Sequence, residues 1–393
     1  MIRLGKRAAV AAAAAVLAAA SVTGCSGSLD TDAVVMTVGG EEVTLGVANF
    51  YARMTQAQYE SYYLSMMGNG MTAEDMWSQE YEGETTEETT KDGLLESLQN
   101  MYVLSQHAEE YGVSLTKEEK DAISDAAEQF SEDNTDEAKE VVSGYKKDIE
   151  KYLELATIQT KMEEPMKEGV DEEVSDEEAA QKAMNYAFFS YTTTDDSGAS
   201  TALSDEEKET LKTTAQDVSA RVKNGEDMAA VVQEAGVEVQ TATFDAESTA
   251  YDADLIAAAD ALTEVGGTTD VIETDNGLYV AQLTSLLDRE ATDAKKTEIV
   301  EERKQEQYDS LLEEWKEAAD IEVNEKVWKK VNFMDQGVTI ITGGEDDADT
   351  GDGSSADDGT AEGGTTDDGT ADDGTTDDGA ADDAASDGAD TAE

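Results

Sequence analysis

The chain has 393 residues, with 27 Lys or Arg against 92 Asp or Glu and a formal net charge of −65. That length accommodates two domains, and that charge repels phosphate, which excludes a nucleic-acid partner. One cysteine (Cys25) excludes an intrachain disulfide. One histidine (His107) would have to carry any His-based zinc site or Ser-His-Asp triad alone. It sits in LSQHAEEYG without a second His or a Cys, and reads as a partly exposed helix residue; no metal and no cofactor is expected.

The first 24 residues read as a signal peptide. Arg3, Lys6 and Arg7 form the basic region, and Ala8 to Ala20 form an apolar run too short for a mature membrane span. Val22-Thr23-Gly24-Cys25 looks like a bacterial lipobox, which implies cleavage before Cys25 and a diacylglycerol on its sulfur. The competing reading is an ordinary signal peptide followed by an incidental cysteine. Two or three acyl chains anchor stably, since each buried CH₂ contributes roughly 0.8 kcal/mol. Residues 25–32 then serve as a linker.

Residues 33–45 read as strand, Gly-Gly turn and strand. A helix over 47–67 follows, carrying Phe50, Tyr51, Met54, Tyr59, Tyr62, Tyr63, Met66 and Met67. Residues 74–91 are acidic and Thr-rich and read as a loop. A helix with Leu94, Leu98, Met101, Tyr102 and Ala108 on one face ends at Gly112. Thr116 and Glu119 form a capping box for the next helix, which reaches about Phe130. Another runs to Pro165, the one proline, and Ser175 to Glu178 is expected to cap a further one.

MNYAFFSY (184–191) is strand-like. A polar loop, a helix capped by Ser204 and Glu207, a short helix, a strand (VEVQTATF) and a short helix (DADLIAAADAL) follow. A final strand is entered through Asp275-Asn276-Gly277 and contains Tyr279. A long charged helix (293–319) and IEVNEKVWKKVNF complete the folded part. From Gly343 onward the chain holds 19 Asp or Glu, no Lys or Arg and no large apolar residue, so it is expected to be a disordered acidic tail. It matches neither an EF-hand loop nor a calcium-binding β-roll repeat, and a solvated brush is the simpler reading.

This order resembles extracytoplasmic foldases of the PrsA and SurA type. VVMTVGGEEVTLGVANFYARM and AEEYGVSLTKEE are similar to their N-terminal chaperone segment, and DALTEVGGTTDVIETDNGLYVAQL to the second half of a parvulin prolyl-isomerase module. The resemblance implies an α+β protein. A mainly helical chaperone lobe (33–180) would be completed by a C-terminal return (291–340), with a parvulin-like module (181–290) inserted between and a tail over 341–393. Where that family places two histidines, this chain has Tyr186 and Tyr279; at the proline-pocket position it has Asp260. Both an active peptidyl-prolyl isomerase and a module kept for binding stay open.

The function this implies is a lipid-anchored chaperone on the outer face of the bacterial cell membrane, holding unfolded or emerging secreted polypeptides and repelling acidic ones. The Met- and Tyr-rich helix is the candidate client surface, since methionine adapts to varied partners; the same stripe also fits a helix core face. A homodimer is left open. The alternatives are a solute-binding lipoprotein, which would need two parallel-sheet lobes, and a structural surface lipoprotein.

Overall fold

The computed structural model describes residues 17–20, 29–67, 72–194 and 198–341. Cys25, most of the expected leader and the acidic tail lie outside them. Strand β1 (Leu17–Ala20) comes first, from within the expected signal peptide. β2 (Val34–Val38) and β3 (Glu41–Thr44) form a hairpin. Its two-residue turn, Gly39-Gly40, has φ of 57° and 83°, a left-handed pair that glycine adopts without cost.

Helix α1 (Leu45–Met67) follows directly. The loop expected over 74–91 is instead a short helix, a hairpin and the start of a long helix. These are α2 (Ala73–Trp77), β4 (Glu80–Tyr81), β5 (Glu84–Thr85) and α3 (Thr86–His107). The physical reason is two capping boxes, Thr72 with Asp75 and Thr85 with Glu88. In each, side chain and backbone satisfy each other's free N–H groups and start a helix from a Thr-rich acidic run. A 3₁₀ turn over 108–111 ends at Gly112, whose φ is 66°.

α4 (Lys117–Asp133) opens at the Thr116–Glu119 box, and α5 (Asp136–Val142) and α6 (Lys146–Met166) follow, with Pro165 in the last turn of α6. The helix expected after Ser175 does not form. Glu178 N–H donates to Ser175 Oγ at 3.1 Å, but the chain enters a strand at Lys182 and Gln181 N–H is taken by Thr292 Oγ1. One turn is all the available length allows.

The next elements are β6 (Lys182–Ser190), a small hairpin of β7 (Thr192–Thr194) and β8 (Ser200–Ala202), then α7 (Asp205–Lys223) and α8 (Met228–Glu234). After them come β9 (Val239–Phe244), α9 (Ala253–Asp260), β10 (Ile272–Thr274) and β11 (Gly277–Ser285). The chain ends with α10 (Arg289–Ala318), β12 (Ile321–Val323), α11 (Glu325–Trp328) and β13 (Gly337–Ile340).

All described strand pairs are antiparallel, and the fold is α+β. A four-stranded sheet has the order β10-β11-β6-β9, and a three-stranded one β12-β2-β3. The apolar interior falls into four clusters. Two draw on Leu17, residues 35–166, Leu312, Trp328, Val331, Phe333 and Val338, and two on residues within 184–283. β12 is added to β2 and β13 is laid along α1. Among the described residues, no helix is long and apolar enough to cross a membrane.

Candidate functional site

Helix α1 divides along its length. Phe50 and Met54 are interior residues, with the Phe50 ring 5.4 Å from Phe130 of α4 and 5.7 Å from Tyr152 of α6. Tyr51 is half-buried, stacked on Tyr152 at 5.1 Å with its hydroxyl donating to Ser97. Toward its C-terminal end the same helix leaves the core. Tyr59, Tyr62 and Met66 are exposed, Tyr62 and Met66 by about two thirds. Tyr63 is half-buried, and its phenol oxygen accepts from Gln79 at 3.4 Å. Met67 closes the helix. The Trp77 ring lies 5.9 Å from Tyr59, and the hairpin after it carries Tyr81, 80% exposed. The candidate client residues therefore separate into a packed set and an open set.

A polar set on α1 joins it to the return and to the end of α5. Asn49, Arg53, Gln56 and Glu60 are all buried; their spacing of four, three and four puts them on one helix face. Asn49 Nδ2 donates to Ser143 Oγ and to the Val141 carbonyl, both at 2.9 Å. Arg53 donates to Gln56 Oε1 and the Gln336 carbonyl, and its guanidinium lies over the Phe333 ring. Burial lowers the Arg53 pKa to about 10 despite the neighbouring Glu60 and Glu87. Gln56 donates to Glu60 Oε1 and the carbonyls of Phe333 and Gln336. Glu60 accepts from Gln56, from Trp77 Nε1 at 2.9 Å and from Val338 N–H at 2.9 Å. Burial raises the Glu60 pKa, and those donors partly oppose it. These residues and β13 do not figure in the expectations from the sequence; the four-three-four polar spacing within an apolar helix was the available signal.

On the other side of β13 lies β1. Leu17 pairs with Ile340, Ala18 with Thr339, Ala19 with Val338 and Ala20 with Gly337. Leu17 N–H donates to Asn134 Oδ1 at 2.8 Å. Its side chain is buried in the cluster that contains Met54, Phe130, Val142 and Val338.

In the four-stranded sheet, alternation puts Ala187, Phe189, Leu278 and Val280 against α7 and α8, and Met184, Tyr186, Ala281 and Leu283 against α9. Gly277 starts β11 where a Cβ would run into the Phe189 carbonyl and the Phe188 ring. Tyr279 pairs with Phe188 and Ala281 with Tyr186, so the two tyrosines are diagonal neighbours on one face. Their ring centroids are 6.1 Å apart, Tyr279 stacks on Phe188 at 4.6 Å, and Tyr251 meets Tyr186 edge-on. Tyr186 Oη donates to Gln240 Oε1 at 2.5 Å.

Burial raises both phenol pKa values, with Tyr251 adding to the effect at Tyr186 and Asp252 and Tyr186 at Tyr279. Both are therefore neutral hydroxyls at physiological pH, suited to hydrogen bonding rather than proton transfer. Asp260, at the end of α9, is ion-paired to Lys182 at 2.9 Å, four residues before Tyr186 on β6.

A concavity of about 660 Å³ opens beside the β10–β11 turn. Apart from Tyr191, its lining is polar or charged, including Lys208, Lys212, Asp252, Asp254 and Glu273. Lys212 is paired with Glu273, and Lys208 lies over the Tyr191 ring. Such a lining does not suit a proline ring. His107 lies outside this module, stacked on Trp315 at 4.2 Å. Among the described residues no His, Cys, Asp and Glu cluster could hold a metal ion.

No family model and no curated protein matches this chain. Solved structures similar to it are SurA-like chaperones and PrsA foldases. A SurA-like chaperone of Campylobacter jejuni is 13% identical over 74% of this chain and 99% of its own, with a TM-score of 0.26. The foldase PrsA of Streptococcus pneumoniae is 19% identical over 65% of this chain and 98% of its own, with a TM-score of 0.28. PrsA of Bacillus subtilis is 16% identical over 63% and 86%, with a TM-score of 0.19. These superpositions are loose, and none of them gives a residue of this chain a role.

Proposed function

We propose that the chain is an extracytoplasmic chaperone for unfolded secreted polypeptides, held at the outer face of the cell membrane by lipid on Cys25. The observation that carries this reading is the open end of α1, where Tyr59, Tyr62 and Met66 face solvent beside a segment bearing exposed Tyr81. Large adaptable apolar side chains kept in water, on a helix anchored by a buried network on its opposite face, suit a promiscuous client. The strong negative charge favours basic segments and speeds their encounter. In the module, Phe188, Tyr251 and Tyr279 offer half-buried aromatic faces around the buried Tyr186, the equipment of a peptide-binding surface. Binding is the role proposed for it, and Asp260 is assigned to the ion pair with Lys182.

The test is aggregation of an unfolded client followed by light scattering, with isomerisation of a proline-containing tetrapeptide measured alongside. The expected result is suppressed aggregation and no isomerisation above background. Suppression absent at a tenfold molar excess of the protein sinks the chaperone reading. Isomerisation that disappears in Tyr186→Phe or Tyr279→Phe would restore an enzymatic one. For the anchor, Cys25→Ala should move the protein from the membrane to the soluble fraction, and unchanged retention would refute lipidation.

A further inference from the structure

Strand β13 is a strand with one closed edge and one edge taken by the chain's own leader. Val338 N–H donates to Glu60 Oε2 and Ile340 N–H to Ser61 Oγ, both at 2.9 Å. Alternation along a strand turns the N–H groups of Gly337 and Thr339 the opposite way, toward β1. α1 therefore seals one side of β13 with side chains, and the other side is a strand-pairing edge. Leu17–Ala20 occupies it in antiparallel register, between β13 and α5. Leu17 fills an apolar socket among Phe130, Val142 and Val338, Asn134 accepts its N–H, and alanines follow.

These four residues fall in the segment that the lipobox reading removes before Cys25. Once they leave, an unpaired edge with an aliphatic socket at one end remains.

We infer that the strand position beside β13 is a client-binding site for an extended peptide carrying one aliphatic side chain followed by small residues. The leader is its first occupant, and the client replaces it. Main-chain pairing to Gly337 and Thr339 supplies affinity without sequence preference, and the Leu17 socket supplies the selection, as in other strand-addition modes. The inference deepens the chaperone reading and rests on it for the nature of the occupant. It also implies that the chain with its leader attached is self-occupied, because a tethered strand competes at high effective concentration.

The test uses the full chain, purified with its leader, and a fluorescein-labelled peptide copying residues 14–23, read by anisotropy. Wild type should bind the peptide at least tenfold more weakly than the full-length Leu17→Asp variant, whose own leader no longer fits. A peptide carrying the same Leu17→Asp change should lose at least tenfold on the Leu17→Asp protein. Adding Thr339→Pro to that protein, which removes the N–H at the open edge, should also cost at least tenfold, with tryptophan emission confirming an unchanged fold. Equal binding by the two full-length proteins overturns the inference, as does equal binding of the two peptides. A dimer of the Leu17→Asp protein that the peptide cannot dissociate in sedimentation also overturns it, since the edge would then belong to a second copy. Failure of aggregation suppression with peptide binding intact would count against the chaperone and leave this site standing.

Discussion

The helical lobe and the four-stranded module are built on opposite rules. The lobe buries a polar stripe, Asn49, Arg53, Gln56 and Glu60, and ties its last three members to residues about 280 positions later in the chain. The module is assembled from a continuous stretch, with apolar clusters on both sheet faces and its ion pairs at the edges. The difference teaches where each can fail. Loss of one buried carboxylate leaves several lobe donors without a partner, whereas the module depends on area and tolerates loss of a single hydroxyl. The three tryptophans, Trp77, Trp315 and Trp328, all lie outside the module, so tryptophan emission reports the lobe alone.

The largest effect is expected from Glu60→Ala. It strips Trp77 Nε1 and Val338 N–H of their acceptor and leaves the buried Arg53 without its strongest favourable charge. A loss of about 3–5 kcal/mol is expected. In urea, the tryptophan transition should move to lower denaturant while the module, followed by amide exchange at β6 and β11, keeps its protection. Equal loss of protection in both regions would break the distinction drawn between them.

The opposite sign is expected at Asp148. Its carboxylate is buried against Gly46, where a Cβ would collide with it, and Oδ2 has no hydrogen-bond partner among the described residues. Burial raises its pKa from 3.8 to about 6, with Lys147 opposing. The folded state therefore favours the protonated acid. The stability it contributes is full below about pH 4, is lost as pH rises to about 6, and stays lost above that. Asp148→Asn should stabilise the lobe by about 1–3 kcal/mol at pH 7 and by little at pH 4. The readout is the difference between variant and wild-type urea midpoints across that range, because ion-paired carboxylates such as Glu119 titrate with the opposite sign. A difference that does not grow with pH would sink the assignment.

Most of the chain's helices are legible in the sequence because their signals are local. Thr116 with Glu119 and Ser204 with Glu207 mark starts, and Gly112 marks a stop. The Thr-rich acidic run over 74–91 defeats that reading because its composition suggests a loop while Thr72 and Thr85 each cap a helix. Ser175 errs the other way, a sound cap with too little chain behind it before β6. In the candidate site, the diagonal placement of Tyr186 and Tyr279 on one face follows from strand alternation once register is known. The ion pair of Asp260 with Lys182 does not, since it depends on how α9 runs across the sheet. β13 and its socket were illegible because four short residues (GVTI) acquire meaning only beside Glu60 and Ser61.

A smaller effect is expected in the module. Tyr186→Phe removes the donor to Gln240 but keeps the ring against Tyr251 and Tyr279. The cost should be about 0.5–1.5 kcal/mol, read as faster amide exchange in β6 and β9 with the tryptophan transition unmoved. A shift of that transition would mean that lobe and module unfold as one body.

The smallest effect on stability belongs to the surface with the largest proposed role. Tyr62 and Met66 are two-thirds exposed, so Tyr62→Ser and Met66→Ser remove little buried area, and each should change stability by less than about 0.5 kcal/mol. A helix core face would not behave this way, since truncating a packed tyrosine or methionine costs about 2–5 kcal/mol. The double variant therefore separates two meanings of the same sequence stripe. With the urea midpoint unchanged, suppression of client aggregation should fall severalfold, while Phe50→Ala at the packed end of the helix should lower the midpoint. Full suppression by a stable Tyr62→Ser, Met66→Ser protein would move client binding away from α1 and leave the β13 edge and the Tyr186–Tyr279 face to carry it.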